Sequence, residues 1–265
     1  MLLRNPFAKA LFDTRRSLLG WIVAIVAVGA MYASFWPTMQ TPEMKRAMAA
    51  YPQGLLEAFN YSDLTSAAGY LGSAVYGLLV PLLVAIFAIT TGTRAIAGDE
   101  EAGTLDLLLA HPVSRVRLAV HRFAALVVGV LGIAVLLALA MIALSGPARF
   151  EGIGPGEFAA MSMHLALFGI TFGALAYAIG ASTGRRALTL GLSAAVAVLT
   201  YLANSVFPQV EGLAWAQNLS PFHWYLGGEP LKNGVQATGS LLMLAATGLL
   251  VLLGTWAFTR RDVGV

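Results

Sequence analysis

The acidic residues of the chain are most closely spaced in the stretch TGTRAIAGDEEAGTLDLLLAHPVSR, which runs from Thr91 to Arg115. Three adjacent carboxylates are followed by leucines at helical spacing, and then by Pro112, a residue type that ends helices. We predict a short two-faced helix over residues 99–110, with its acids at the start, where carboxylates stabilise the positive end of the helix dipole. Such a helix presents a negative face and an apolar face.

Two uses of this helix are open from the residues alone. It could lie at a membrane surface and turn the chain, with its leucines in lipid and its acids in water. It could instead dock on a soluble partner, so that a push from the partner tilts the two flanking spans together. The basic residues that follow, Arg115, Arg117 and Arg122, can reach lipid phosphates or the acids of the helix itself.

Other residue sets that could do chemistry are weak. The three lysines, Lys9, Lys45 and Lys232, all lie outside a glycine-rich phosphate loop, so we expect no ATP hydrolysis by this chain. The four histidines lack a metal-ligand spacing and the chain has no cysteine, so we expect no catalytic residue, metal or cofactor. Glu151 and Glu157 are better explained as a solvated face than as a catalytic pair.

The elements around the acidic stretch are apolar enough to lie in a membrane. Of the 265 residues, 58% are hydrophobic and 11% are charged, and the mean hydropathy is +0.76. An uncharged stretch of about 20 residues crosses a hydrocarbon core of about 30 Å as a helix. We predict one all-α membrane domain over residues 1–265, with six spans near residues 18–36, 70–91, 123–145, 158–182, 187–207 and 239–258.

The basic residues predict the orientation of the spans. Lys45, Arg46, Arg149 and Lys232 lie in one set of alternate connections, whereas the other twelve of the 16 Lys and Arg lie in the second set. By the positive-inside rule the second set is cytoplasmic, and so are both termini. The net charge of +3 is therefore a topology signal of a multi-pass cell-membrane protein, and we expect no nucleic-acid partner.

The stretch RAIAGDEEAGTLDLLLAHPVSR resembles the hallmark of the ABC-2 family of ABC transporter permeases, between their second and third spans. The likeness extends to RRSLLGW, to the second span around Pro81 and to SPFHWYLGGEPLKNG before the last span. The chain departs from the family pattern at Val120–Arg122, where many relatives have Gly-Lys. The positions that match the motif are Glu100, Glu101, Gly103, Thr104, Leu105, Leu108, Pro112 and Arg115, which with Asp99 form the predicted coupling site.

The resemblance implies a type V exporter-like permease subunit, whose cytoplasmic coupling helix sits in a groove of a separate ATPase subunit. That partner would bind ATP and Mg, and two permeases, identical or different, would pair in the lipid. Residues 1–17 resemble the amphipathic elbow helix of the family. Most members export, and the cargo route would be lined by the second and fifth spans through Tyr76, Phe87, Tyr201, Asn204 and Phe207.

Two alternative functions and the roles of one histidine and two glycine pairs complete the interpretation. A non-transporting subunit for assembly or sensing would share every feature above. An ion-coupled secondary transporter is disfavoured because the predicted spans hold no Asp, Glu, Lys or Arg. His164 is better explained as hydrogen-bonded than as a proton relay. The pairs Gly169/Gly173 and Gly180/Gly184 should let the fourth span pack closely against neighbours.

Overall fold

A computed structural model describes residues 6–49, 66–103 and 114–261, and within these ranges the chain is helical without a strand. The α-helices are α1 (Pro6–Met39), α2 (Pro42–Ala49), α3 (Ala67–Ala74), α4 (Leu79–Thr93), α5 (Arg115–Ala148), α6 (Pro155–Thr183), α7 (Arg186–Ser205), α8 (Pro221–Leu226), α9 (Pro230–Asn233) and α10 (Ala237–Arg260). A π-helix (Arg94–Gly98) and a short helical turn (Asp99–Glu101) extend α4, and 3-10 helices cover Phe207–Gln209 and Ala214–Leu219.

The six predicted spans are confirmed. Six helical segments among the described residues are long and apolar enough to cross a membrane: α1, Ala67–Glu101, α5, α6, α7 and α10. Most of these helices are longer than predicted, because a helix continues into charged sequence wherever no residue interrupts it. The predicted elbow is an example: residues 6–17 are part of α1, since no Gly or Pro follows Pro6 before Gly20.

The bundle has two chemically different ends. The basic end carries the start of α1, the residues after α4, the start of α5, the turn between α6 and α7, and the end of α10. The loop end carries the irregular segment 206–236 and the turn between α5 and α6. The described residues nearest both termini, Pro6 and Arg261, therefore lie at the same end, because the number of spans is even.

Helix α6 forms the centre of the bundle. Within its apolar window 78% of residues are buried, against 17% for α1 and for α10. Two glycines permit this central position: a Cβ at Gly169 would overlap the Val84 side chain, and one at Gly173 would contact Leu126 at 2.8 Å. Gly92 of α4 likewise lies directly against the Gly173 carbonyl. The prediction for Gly169 and Gly173 is confirmed.

The second span is interrupted between α3 and α4. Pro81 has no N–H and its ring excludes the carbonyl of residue 77, so the helical hydrogen bonds shift at this point. The Val80 N–H donates to the Val75 carbonyl at 3.3 Å, which leaves the Tyr76 carbonyl without its usual helical donor. The hydroxyl of Tyr225, in α8, donates to that carbonyl at 3.1 Å, and both tyrosines are fully buried.

Segment 206–236 folds back onto the spans at the loop end. Ser220 caps α8 through a 3.1 Å hydrogen bond from the Phe222 N–H, and its own hydroxyl donates to the Thr200 carbonyl at 2.6 Å. His164 Nε2 accepts a hydrogen bond from the Gln236 N–H at 3.1 Å. Because that nitrogen accepts a hydrogen bond from the backbone, the structure supports a hydrogen-bonded histidine that joins α6 to this segment.

Candidate functional site at the basic end

The three acids of the hallmark lie at the end of a helix, not at its start. The chain is already helical from Leu79 through the π-helix Arg94–Gly98, and Gly98 itself has helical torsions, φ −67° and ψ −39°. The helix ends after Glu101, and Gly103 adopts a positive φ of 65°. The predicted stabilisation of a helix start by these acids is therefore wrong, because carboxylates at a helix C-terminus oppose the dipole. Four coupling positions lie outside the described residues: Thr104, Leu105, Leu108 and Pro112.

Asp99 is compensated by an arginine of the next span. Its carboxylate forms an ion pair with the guanidinium of Arg122, in α5. Arg122 Nη1 also donates to the Ala95 carbonyl at 3.1 Å and lies 3.5 Å from the Arg94 carbonyl. One side chain thus neutralises the acid and binds the π-helical backbone. Arg122, at the position where the sequence departs from the pattern it resembles, thus ties the second span to the third.

Glu100 is compensated by an arginine from the far end of the chain. The Arg261 guanidinium, just after α10, donates to the Glu100 carboxylate. Arg115 holds the same chain end: its Nη1 donates to the Arg261 carbonyl at 2.7 Å and lies 3.4 Å from the Phe258 carbonyl. Its guanidinium carbon is also 5.8 Å from the Phe258 ring centroid. The predicted coupling residue Arg115 therefore binds the last turn of α10.

The turn between α6 and α7 closes against this ion pair. Gly184 ends α6 with a positive φ of 67°, and a Cβ there would overlap both the Arg261 guanidinium and the Glu100 carboxylate. The predicted close packing is therefore found at Gly184, where the neighbour is this ion pair and not the face of another helix, whereas Gly180 faces Ala97 at an ordinary contact distance of 3.4 Å. We call the four residues Asp99, Arg122, Glu100 and Arg261, together with Arg115 and Gly184, the basic-end clamp.

Glu101 differs from its two acidic neighbours. Its side chain is exposed, and within the described ranges it forms no ion pair. Ala102 and Gly103 are exposed too. Of the three acids, Glu101 is therefore the one whose charge is available at the surface, whereas the carboxylates of Asp99 and Glu100 are bound inside the chain.

The five predicted cargo-route residues do not meet at one place. Tyr76 and Phe87 are buried inside the bundle, with at most 1% of their surface exposed. Neither residue lines the cavity at the loop end or the cavity at the basic end that are described below. The Tyr201 ring packs edge-on against Phe222, with 5.4 Å between ring centroids. Asn204 lines a cavity, and Phe207 begins the 3-10 helix that follows α7.

The cavity that Asn204 lines lies at the loop end and has a volume of about 380 Å³. Its polar lining is mostly neutral: Ser205, Gln209, Gln217 and His223 contribute, and Glu229 and Lys232 neutralise each other in a 3.0 Å ion pair. Burial lowers the pKa of the His223 imidazole, which favours its neutral form. The cavity is suited to an uncharged or amphipathic molecule.

The described residues contain no group of three or more His, Asp or Glu side chains that could hold a metal ion.

The sequence interpretation missed Arg261 and Gly184, and it left the partner of Arg122 open. Adjacent arginines after the last span indicated only orientation. A lone glycine between helices is a common helix end, so neither pattern pointed to Glu100.

Comparisons with known proteins find similar sequences. A family model described as "ABC-2 family transporter protein" matches residues 2–263. A curated relative, the "Probable ABC transporter permease protein NosY" of Pseudomonas aeruginosa, is 29% identical over 208 residues, which is 68% of this chain and 72% of the relative.

Proposed function

This chain belongs to the ABC-2 family of transporter proteins and is a multi-pass transmembrane subunit of an ABC transporter; from that premise we propose that a separate ATPase docks beside Glu101 and drives export. Membership in a permease family makes the chain a non-catalytic membrane component that pairs with an ATPase subunit. In this proposal ATP and Mg bind to the partner alone. The helix bundle converts the partner's movement into a change at the loop end.

The basic-end clamp carries this proposal. Two ion pairs, Asp99–Arg122 and Glu100–Arg261, join the end of the second span to the third span and to the end of the sixth. Gly184 adds the turn between the fourth and fifth spans. A force applied to the segment after Glu101 would therefore reach several spans together instead of bending one loop. Movement of packed helices as a unit is an established form of switching.

Glu101 is the residue that the clamp leaves for a partner. An exposed carboxylate next to an exposed turn can meet a basic group on a docking surface, where charge complementarity favours association. We propose that Leu105 and Leu108, which follow at helical spacing, supply the apolar part of the same contact. Asp99 and Glu100 then position the contact and do not touch the partner.

The proposal includes orientation and assembly. The concentration of arginines at the basic end supports a cytoplasmic location for that end and for both termini, in the cell membrane. A nucleotide-binding partner would also meet the chain on that side. We propose that two permease subunits pair through the lipid-facing helices, which include the little-buried α1 and α10.

For the cargo we propose a hydrophobic or amphipathic molecule that leaves past Tyr201, Asn204 and Phe207. These three residues lie at the loop end of the fifth span, and Asn204 lines the neutral cavity there. Tyr76 and Phe87, as buried packing residues, would then support the route without lining it.

The docking proposal is tested by co-purifying the chain with its ATPase partner and measuring ATP hydrolysis and ATP-driven transport in vesicles. The test variant is Glu101→Arg, and the control is Glu151→Arg, the same charge reversal on an exposed acid at the loop end. We expect the chain alone to hydrolyse no ATP. We expect Glu101→Arg to weaken co-purification at least about tenfold, because a lost interfacial charge pair costs about 2 to 5 kcal/mol.

Normal co-purification and transport by Glu101→Arg would overturn the docking role of this acid. Equal damage by Glu151→Arg would show that reversal of any exposed acid has the same effect. ATP hydrolysis by the purified chain without a partner would overturn the assignment of ATP chemistry to a separate subunit.

A further inference from the structure

A second cavity lies at the basic end, beside the clamp. Its volume is about 510 Å³, and four segments surround it: the first turns of α1, the end of α4 with its π-helix, the start of α5 and the first residue of α7. This volume falls in the range of small-molecule sites. The cavity therefore lies between spans that the coupling segment would move, and Glu101 is not among the residues that line it.

The charges around the cavity favour an anion. Lys9, Arg94 and Arg186 line it, and none of them forms an ion pair with any residue that the structure describes. Arg122 and Asp99 also face it but neutralise each other. Against the three cations stands one further carboxylate, that of Asp13. An excess of positive charge remains, and two of the three groups are guanidiniums, which bind phosphate through two parallel hydrogen bonds.

Part of the cavity wall is apolar. Trp21, Leu118 and Ala125 contribute to it, and the Trp21 ring packs edge-on against Phe87 of α4, with 6.2 Å between ring centroids. Tryptophan is enriched where hydrocarbon meets the polar surface of a membrane. A ligand that fits both walls has an anionic head and an apolar tail.

We propose that this cavity binds the phosphate headgroup of an anionic phospholipid. The inference rests on the orientation given above, which places the cavity in the cytoplasmic leaflet, where anionic lipids make the surface negative. Basic pockets between spans on that side hold lipid headgroups in other membrane proteins. A bound lipid would tie α1, the π-helix and α7 together, next to the clamp.

The chain offers a closely matched test pair. Arg185 and Arg186 are neighbours and both are exposed, but only Arg186 lines the cavity. Native mass spectrometry of the detergent-purified full chain would measure retention of phosphatidylglycerol and of phosphatidylcholine with the same acyl chains. Arg94→Gln and Arg186→Gln are the test variants, Arg185→Gln is the control, and the thermal melting temperature reports folding in each case.

We expect the wild-type chain to retain phosphatidylglycerol more strongly than phosphatidylcholine. Each test variant should weaken phosphatidylglycerol binding about fivefold, because one basic residue near a membrane surface contributes about that factor. Arg185→Gln should bind like the wild type. Millimolar inorganic phosphate or glycerol phosphate should leave most of the lipid bound, since neither has a tail for the apolar wall.

Three results would overturn the proposal. Equal loss in Arg185→Gln and Arg186→Gln would mean that the lipid responds only to general surface charge. Equal retention of the two lipids would exclude recognition of an anionic headgroup. Complete displacement by inorganic phosphate would indicate a site for a free anion. Failure to dock the ATPase would affect none of these measurements, so the two proposals fail separately.

Discussion

Glu100 and Arg261 are 161 residues apart in the chain, yet their side chains form an ion pair that closes directly over Gly184. The pair joins the end of the second span to the end of the sixth, and the glycine brings the turn between the fourth and fifth spans against both. Both side chains are mostly buried, with 13% of Glu100 and 22% of Arg261 exposed. Such a pair is costly to break, because either charge left alone would be poorly hydrated.

Replacement of Gly184 by alanine should destabilise the protein by about 2 to 4 kcal/mol, because a left-handed residue acquires a Cβ and that atom overlaps the ion pair. Gly191→Ala is the control, since a Cβ at that position meets no atom within 4 Å. The free energy of unfolding would be measured by titration with denaturing detergent in mixed micelles. Equal stability of the two variants would contradict the close approach at Gly184.

The coupling between Glu100 and Arg261 should be measurable in a double-mutant cycle. The variants Glu100→Gln, Arg261→Gln and the double variant should give an interaction energy of about 1 to 2 kcal/mol, because the pair is hydrogen-bonded and shielded from solvent. The more exposed pair Glu229–Lys232 serves as the comparison and should give less than about 0.5 kcal/mol. Similar values for the two pairs would contradict a special role for the clamp.

The six spans were predictable because each one requires an uncharged stretch long enough to cross the membrane, a property of local sequence alone. The helix ends were less predictable. Gly98 followed by three acids is typical of a helix start, but Ala95 and Ile96 pack against α6 and keep the backbone helical through Glu101. A tertiary contact thus overrode a local signal.

The hydrogen bond between Tyr225 and Tyr76 should contribute to stability. Tyr225→Phe leaves the buried Tyr76 carbonyl without a donor, so we expect a loss of about 1 to 2 kcal/mol. Tyr32→Phe is the matched control, because the Tyr32 hydroxyl makes no hydrogen bond with any residue that the structure describes. Detergent titration of both variants would test the difference, and a neutral Tyr225→Phe would show that the carbonyl finds another donor.

The orientation of the bundle can be measured directly because the chain has no cysteine. Single cysteines replacing Arg185, at the basic end, and Glu211, at the loop end, are both at exposed positions. We expect a membrane-impermeant maleimide applied to intact cells to label the Glu211 position, and the Arg185 position only after lysis. Labelling of both positions in intact cells would contradict the predicted orientation.

The partners within the clamp could not be predicted from the sequence. The positive-inside rule places the arginines and the acids at the same end of the bundle, but it does not say which of them meet. That depends on the order of the spans around α6, which brings Arg122 of α5 to Asp99 and brings Arg261, just after α10, to Glu100. The cargo positions stay a prediction for a related reason: an aromatic residue in a span is equally suited to packing, and Tyr76 and Phe87 are buried in the bundle.

The π-helix Arg94–Gly98 gives the second span one residue that can be lost without a change of register. A π-helical turn accommodates about one residue more than an α-helical turn. If one residue were deleted there and the helix closed as α, the turn would still be complete, so Asp99 would keep facing Arg122 and Glu100 would keep facing Arg261. A deletion in the regular α-helix before it would instead rotate everything that follows by about 100° around the helix axis, and both ion pairs would be lost in a single event. The loss of one residue is therefore better tolerated within Arg94–Gly98 than within α4.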